Sequence, residues 1–251
     1  MGETRVEGWV GATPEAVAKE AARRFAVAAE KAIRERGRFA VALAGGSTPR
    51  AMNELLAQPP YAGMVDWSKV EIYFGDERTV PPSHMQSNYR MTKETLLDHV
   101  AIPADKIHRI EGEGDPLMAA RSYEMVLRST AVDVIGTAET GIFPRLDLVM
   151  LGMGPDGHTA SLFPRTTALE ERYRLVVENF VEKQNAWRIT MTAPMLNAAR
   201  EIVLCICGAE KGPVLKTIRD PSVDALDYPV LMLEPVDGKI VWLLDKAAKN
   251  G

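Results

Sequence analysis

Apolar residues recur three and four apart between Pro14 and Arg36, at Val17, Ala21, Ala22, Phe25, Ala28, Ala29 and Ile33. That spacing predicts one long helix with a single buried stripe. Thr13 stands at the capping position, Pro14 at the first helical position and Gly37 just past the end. The pattern then changes. Phe39–Leu43 is a short, continuous apolar run, and Val70–Phe74 and 146–151 are apolar runs each broken by one acid, Glu71 and Asp147, the pattern of strands buried on both faces. Further strands are expected at 175–178, 187–192, 202–207, 230–233 and 240–243, with helices at about 86–99, 116–128, 195–200 and 210–219. Residues 129–144 show no period and read as a connection. Strands alternating with helices predict an α/β domain, a mostly parallel sheet covered on both faces.

In such folds ligands bind beyond the carboxyl ends of the strands. Three unusual loops each follow an expected strand and should converge on one sheet edge. The first holds Gly45, Gly46, Ser47, Thr48 and Pro49. Its glycines allow close backbone approach, Ser47 or Thr48 can cap the next helix, and a helix start with free N–H groups suits a phosphate. An ordinary capped turn explains the same residues. The second loop places Asp76, Glu77 and Arg78 after a glycine; Arg78 can hold a phosphate or polarise a carbonyl, or simply form a surface ion pair. The third, Gly152-Met153-Gly154-Pro155-Asp156-Gly157-His158, formally contains G-x-G-x-x-G, with Glu178 at the spacing of a ribose ligand. A dinucleotide fits poorly, because Pro164 breaks the helix such a site needs and Asp156 would face the pyrophosphate. A general base fits better. His158 is placed at a helix start, where the dipole disfavours a cation, and Asp156 is placed to orient the imidazole, the water or a sugar hydroxyl. Lys211, after a strand and at a helix start, suits a second phosphate contact; Arg188 sits near the beginning of its strand and suits the site less well.

Composition narrows the function classes. Among 251 residues, 30 Lys and Arg face 34 Asp and Glu for a net charge of −4, and no basic run argues for nucleic acid or an anionic membrane. No apolar stretch approaches the roughly 18 residues of a membrane span. The opening MGETRVEGWVGATPE lacks the apolar stretch of a secretory signal, so the cytoplasm is the expected compartment. Cys205 and Cys207, the only cysteines, read as core residues sharing a strand face. No spacing of His, Cys or carboxylates resembles a metal site, and no G-x-S-x-G nucleophile elbow occurs.

Taken in order, ALAGGSTPR, YFGDERTVPPSHMQSNYRMTKETLL, LDLVMLGMGPDGHTASLFP, RITMTAPMLNAAR and GAEK resemble the 6-phosphogluconolactonase family over 42–211. The resemblance implies a three-layer αβα sandwich with a mainly parallel, Rossmann-like sheet in one domain over 1–251. It also implies hydrolysis of 6-phospho-D-glucono-1,5-lactone to 6-phosphogluconate, the second step of the oxidative pentose phosphate pathway, without a cofactor. His158 would be the base and Asp156 its catalytic neighbour. Gly45, Gly46, Ser47, Thr48 and Lys211 would hold the 6-phosphate, with Asp76, Arg78, Gly157 and Arg188 as further substrate contacts. The partner is a sugar-phosphate lactone, not nucleic acid or membrane, and the oligomeric state is left open. In the related glucosamine-6-phosphate deaminases the loop resembles D-G-H-x-A-x-N-E-P; here Phe163 stands at the glutamate position. Isomerisation needs that carboxylate and lactone hydrolysis does not. A sugar-phosphate sensor would keep the first loop but has no need of His158.

Overall fold

The computed structural model describes residues 5–130, 133–137 and 141–251. The chain begins with β1 (Arg5–Gly11), an unexpected strand whose apolar residues are separated by charge and glycine. The first helix, α1 (Pro14–Arg36), has the expected bounds. Thr13 Oγ1 accepts from the Ala16 N–H, and Gly37, at φ 76°, closes the helix with its N–H on the Ile33 carbonyl. Val17, Ala21, Phe25 and Ala29 are buried along it.

Next come β2 (Phe39–Leu43), α2 (Ser47–Leu56), α3 (Tyr61–Met64), β3 (Val70–Phe74) and β4 (Asp76–Arg78). A short α4 (Asn88–Thr92) widens into a π-turn over Lys93–Leu97, in place of one helix over 86–99. After α5 (Pro116–Thr130), β5 (Val134–Thr137) pairs antiparallel with β6 (Gly141–Pro144). The expected connection over 129–144 thus holds a hairpin, and its residues 131–132 and 138–140 lie outside the described ones. The rest of the chain forms β7 (Leu148–Gly152), β8 (Val176–Val181), β9 (Ala186–Met191), α6 (Ala193–Asn197), β10 (Glu201–Ile206), α7 (Gly212–Thr217), β11 (Lys239–Asp245) and α8 (Lys246–Asn250). Residues 230–233, expected as a strand, lie in a 3-10 turn, Pro229–Met232, led by a proline. A short apolar run satisfies core burial in either conformation.

Six strands form one parallel sheet in the order β1-β11-β10-β7-β2-β3. The chain builds outward from β2 to β3, then returns to add β7, β10 and β11 on the other side of β2. The order therefore reverses between β2 and β7, and the loops leaving those two strands flank a crevice. Contrary to expectation, β8 and β9 do not join this sheet. They pair with β4 in a three-stranded antiparallel one. Their outer ends carry exposed Phe180 and Trp187, which suits an antiparallel sheet with a wet face. Gly75 joins the sheets: its N–H donates to Leu43 O at 2.9 Å and its carbonyl accepts from Met191 N at 2.8 Å. Among the described residues no helix is long and apolar enough to cross a membrane.

Candidate active site

The loop after β2 forms one wall of the crevice. Gly46, at φ 112°, takes the cap position of α2, and no side chain caps that helix. This corrects the expectation that Ser47 or Thr48 would do so: both lie in the first turn, whose N–H groups have no side-chain cap. Gly45 is required by close approach, since a Cβ there would lie 1.8 Å from Asn88 Oδ1 and 3.0 Å from Arg78 Nη1.

The second loop is a strand, β4, held by a buried carboxylate. Glu77 is 2% exposed and accepts from the N–H groups of Arg78 (2.9 Å), Asn88 (2.7 Å) and Tyr89 (2.9 Å) and from Ser87 Oγ (3.0 Å). Burial raises its pKa against the pull of those backbone donors. Ser87 also caps α4, accepting from Arg90 N at 3.1 Å. Arg78 Nη1 donates to Gln86 O at 3.0 Å and to Asn88 Oδ1. Asp76 is buried, accepting from Ser161 Oγ at 2.6 Å and Asn88 Nδ2 at 3.2 Å.

No helix follows the third loop; residues 153–163 form consecutive turns. Contrary to expectation, His158 therefore stands at no helix start, and a carboxylate rather than a helix dipole acts on it. His158 Nδ1 lies 2.5 Å from Asp156 Oδ1, which also accepts from the His158 N–H at 3.3 Å. Burial opposes ionisation of Asp156, yet the bonds and charge of His158 outweigh it and hold the carboxyl at about 2. An ionised carboxylate only accepts, so the Nδ1 that faces Asp156 carries a proton, and in the neutral ring Nε2 is the acceptor. Gly157, at φ 77°, is packed under Tyr228, where a Cβ would lie 2.8 Å from Cδ1. It shapes the turn and is not on the cavity wall.

A cavity of about 330 Å³ brings these loops together. Gly45, Gly46, Ser47 and Thr48 line one side, His158 with Gly154 the other, and Asp76, Arg78 and Lys211 complete the wall. Lys211 ends a 3-10 turn after β10, with its Nζ 3.6 Å from Glu210 Oε1. Cys205 and Cys207 also line the cavity. Burial pushes the Cys205 thiol up to about 12 and raises Cys207 as well. Arg188 faces Arg78 across the β4–β9 register. It lines an adjoining hollow of about 320 Å³ with Gly46, Arg50 and Arg78. Because β9 runs antiparallel, its beginning reaches the same edge as the ends of the parallel strands, which explains a placement that looked unfavourable. Burial and the charge of Arg78 lower the Arg188 pKa. Glu178 is engaged by Arg174 at 3.3 Å. Among the described residues no group of three or more His, Cys, Asp or Glu is arranged to hold a metal ion.

Residues 12–242 match the family described as glucosamine-6-phosphate isomerases/6-phosphogluconolactonase. The chain belongs to this family. A 6-phosphogluconolactonase of Nostoc sp. is 42% identical over 220 residues, 87% of each chain. One of Haemophilus influenzae is 37% identical over 208 residues, covering 83% of this chain and 85% of its own. The solved 6-phosphogluconolactonase of Trypanosoma brucei superposes with a TM-score of 0.89 at 28% identity, covering 99% of both chains. A monomeric glucosamine-6-phosphate deaminase shares the fold, with a TM-score of 0.79 at 20% identity over 97% of this chain and 99% of its own.

Three further residues of this family member touch the site, none of them given a substrate or catalytic role from the sequence, although Phe163 was noted there at the position of the deaminase glutamate. Asn88 bridges Asp76 and Arg78, Ser161 ties Asp76 to the His158 turn, and Phe163 lies over the imidazole. Polar residues buried at the mouth of a sheet were the available signal for the first two, since such groups must be hydrogen-bonded.

Proposed function

We propose that this chain hydrolyses 6-phospho-D-glucono-1,5-lactone to 6-phosphogluconate, acting as one domain in the cytoplasm, with His158 as the general base. The Asp156–His158 pair facing a cavity whose other wall is an uncapped helix start carries the reading. Nε2 takes a proton from water as its oxygen attacks C1. The ring oxygen then leaves with that proton, opening the lactone to the acid. Removal of the proton contributes about 10²–10⁴-fold, and a donor at the developing oxyanion about 10²–10³-fold. Arg78, which lines the same cavity as His158, is the oxyanion donor in this reading. The first turn of α2 and Lys211 take the 6-phosphate, which anchors the sugar at the end remote from the broken bond. The apolar Phe163, in place of a carboxylate, favours hydrolysis over isomerisation.

His158→Ala should slow hydrolysis of freshly generated phosphorylated lactone by about 10²–10⁴-fold after subtraction of the spontaneous rate. A variant within a few-fold of the parent removes the base. Lys211→Ala should impair the phosphorylated lactone more than plain gluconolactone; equal effects on both remove the phosphate assignment.

A further inference from the structure

Phe163 meets His158 from a side that the proton transfer does not use. The two rings lie 4.1 Å apart between centroids, inclined by 22°, and Phe163 is 6% exposed. A local turn makes the contact. Thr159 and Leu162 form an antiparallel bridge, the Leu162 N–H donates to Thr159 O at 2.9 Å, and Ala160 takes φ 48°. Positions 158 and 163 are the next pair outward, so their side chains meet on one face. Phe163 is itself anchored: its carbonyl accepts from Thr166 Oγ1 at 2.8 Å, and Asn179 Nδ2 donates to that hydroxyl at 3.0 Å.

The bond to Asp156 fixes one edge of the imidazole but leaves the ring free to tilt about the Nδ1···Oδ1 line. A flat, buried ring on one face opposes that tilt. We propose that Phe163 is a positioning residue for His158, its stacked ring holding Nε2 aimed into the cavity so that turnover, not substrate affinity, depends on it. The kinetic part of this inference rests on the base assignment made above for His158; the stacking part does not.

Two measurements test it. In the NMR spectrum of the unsubstituted protein, the His158 ring protons, assigned by their loss in His158→Ala, should lie upfield of exposed histidines because of the Phe163 ring current. They should move back in Phe163→Leu. Resonances at ordinary positions overturn the stack whether or not the protein is a lactonase. In kinetics, Phe163→Leu should lower kcat by roughly 10- to 100-fold, the order expected for a misaimed reacting group, with KM within about twofold. Phe163→Tyr, which keeps the flat ring, should restore kcat to within about threefold of the parent. An unchanged kcat in Phe163→Leu, or a loss confined to KM, overturns the positioning role. Should Phe163→Leu fail to fold, the ring-proton positions and the Tyr variant decide. An active protein with unshifted His158 resonances sinks this inference alone, whereas an inactive protein with shifted ones sinks the lactonase reading.

Discussion

Gly154 has no side chain because His158 occupies the space one would fill. A Cβ there would lie 2.1 Å from both Nδ1 and Cε1 of the imidazole and 2.8 Å from Asp156 Oδ1. Its φ lies outside the left-handed range, so the backbone accepts alanine, and the imidazole and the Asp156 carboxylate must move. Gly154→Ala is therefore expected to break the Asp156–His158 bond while leaving the fold intact. Displacing a reacting group by about 1 Å costs on the order of 10²-fold, and turnover should fall by that amount with an unchanged circular dichroism spectrum. Parent-like turnover would mean that the ring needs no such seat. Gly157 differs, since φ 77° and the packed Tyr228 tie it to the backbone of the turn. Of the loop's glycines, the sequence reading named Gly157 as a substrate contact and left Gly154 out; the Cβ environments show instead that Gly154 seats the His158 ring and Gly157 bends the chain.

At the scale of elements, β4 and α4 are locked together by Glu77. Its Oε1 accepts from Arg78 and Asn88, and its Oε2 from Ser87 and Tyr89. In Glu77→Gln an amide NH₂ must replace one of these oxygens and face a backbone N–H. A buried donor left without an acceptor costs about 1–3 kcal/mol, which chemical denaturation should register. Arg78, whose guanidinium is held by Asn88, should lose alignment with it, so kcat should fall as well; an isostable, fully active variant would contradict this account of β4. This lock was not legible in the sequence. The GDER segment reads as a loop because three residues are too few for a period, and antiparallel pairing of β4 with β9 links positions more than a hundred residues apart. Elements that carry their own signals were legible: α1 from its stripe and caps, β2 and β7 from apolar runs, and β3 from an apolar run broken only by Glu71. The 3-10 turn at Pro229–Met232 was not, because burial of four apolar residues does not choose between strand and helix.

The molecule as a whole brings its chemistry together through one topological reversal, between β2 and β7; alternating strands and helices foretold that the loops share a sheet edge, but not the strand order. Holding the sheet's other edge is a cluster remote in sequence. Glu71 on β3 meets His108 Nε2 at 3.6 Å, the Tyr73 hydroxyl at 3.0 Å and Arg38 Nη1 at 3.3 Å, and Tyr73 reaches Thr130 Oγ1 at 2.7 Å. His108, then Tyr73 and Arg38, hold the Glu71 carboxyl at about 2 against the opposing effect of burial. The folded value lies below the ordinary 4.5. The stabilisation is thus complete above pH 4.5 and is lost as pH falls toward 2. Asp156, also held at about 2 from an ordinary 3.8, adds to the same limb. The midpoint of thermal unfolding should hold level from neutrality to about pH 4.5 and then drop. Glu71→Gln should lower stability at pH 7 and flatten the decline between pH 4.5 and 2, while hydrolysis at pH 7 stays at the parent rate, since no member of this cluster lines the cavity. An acid limb as steep in the variant as in the parent would show that carboxylates elsewhere set the acid stability of the fold.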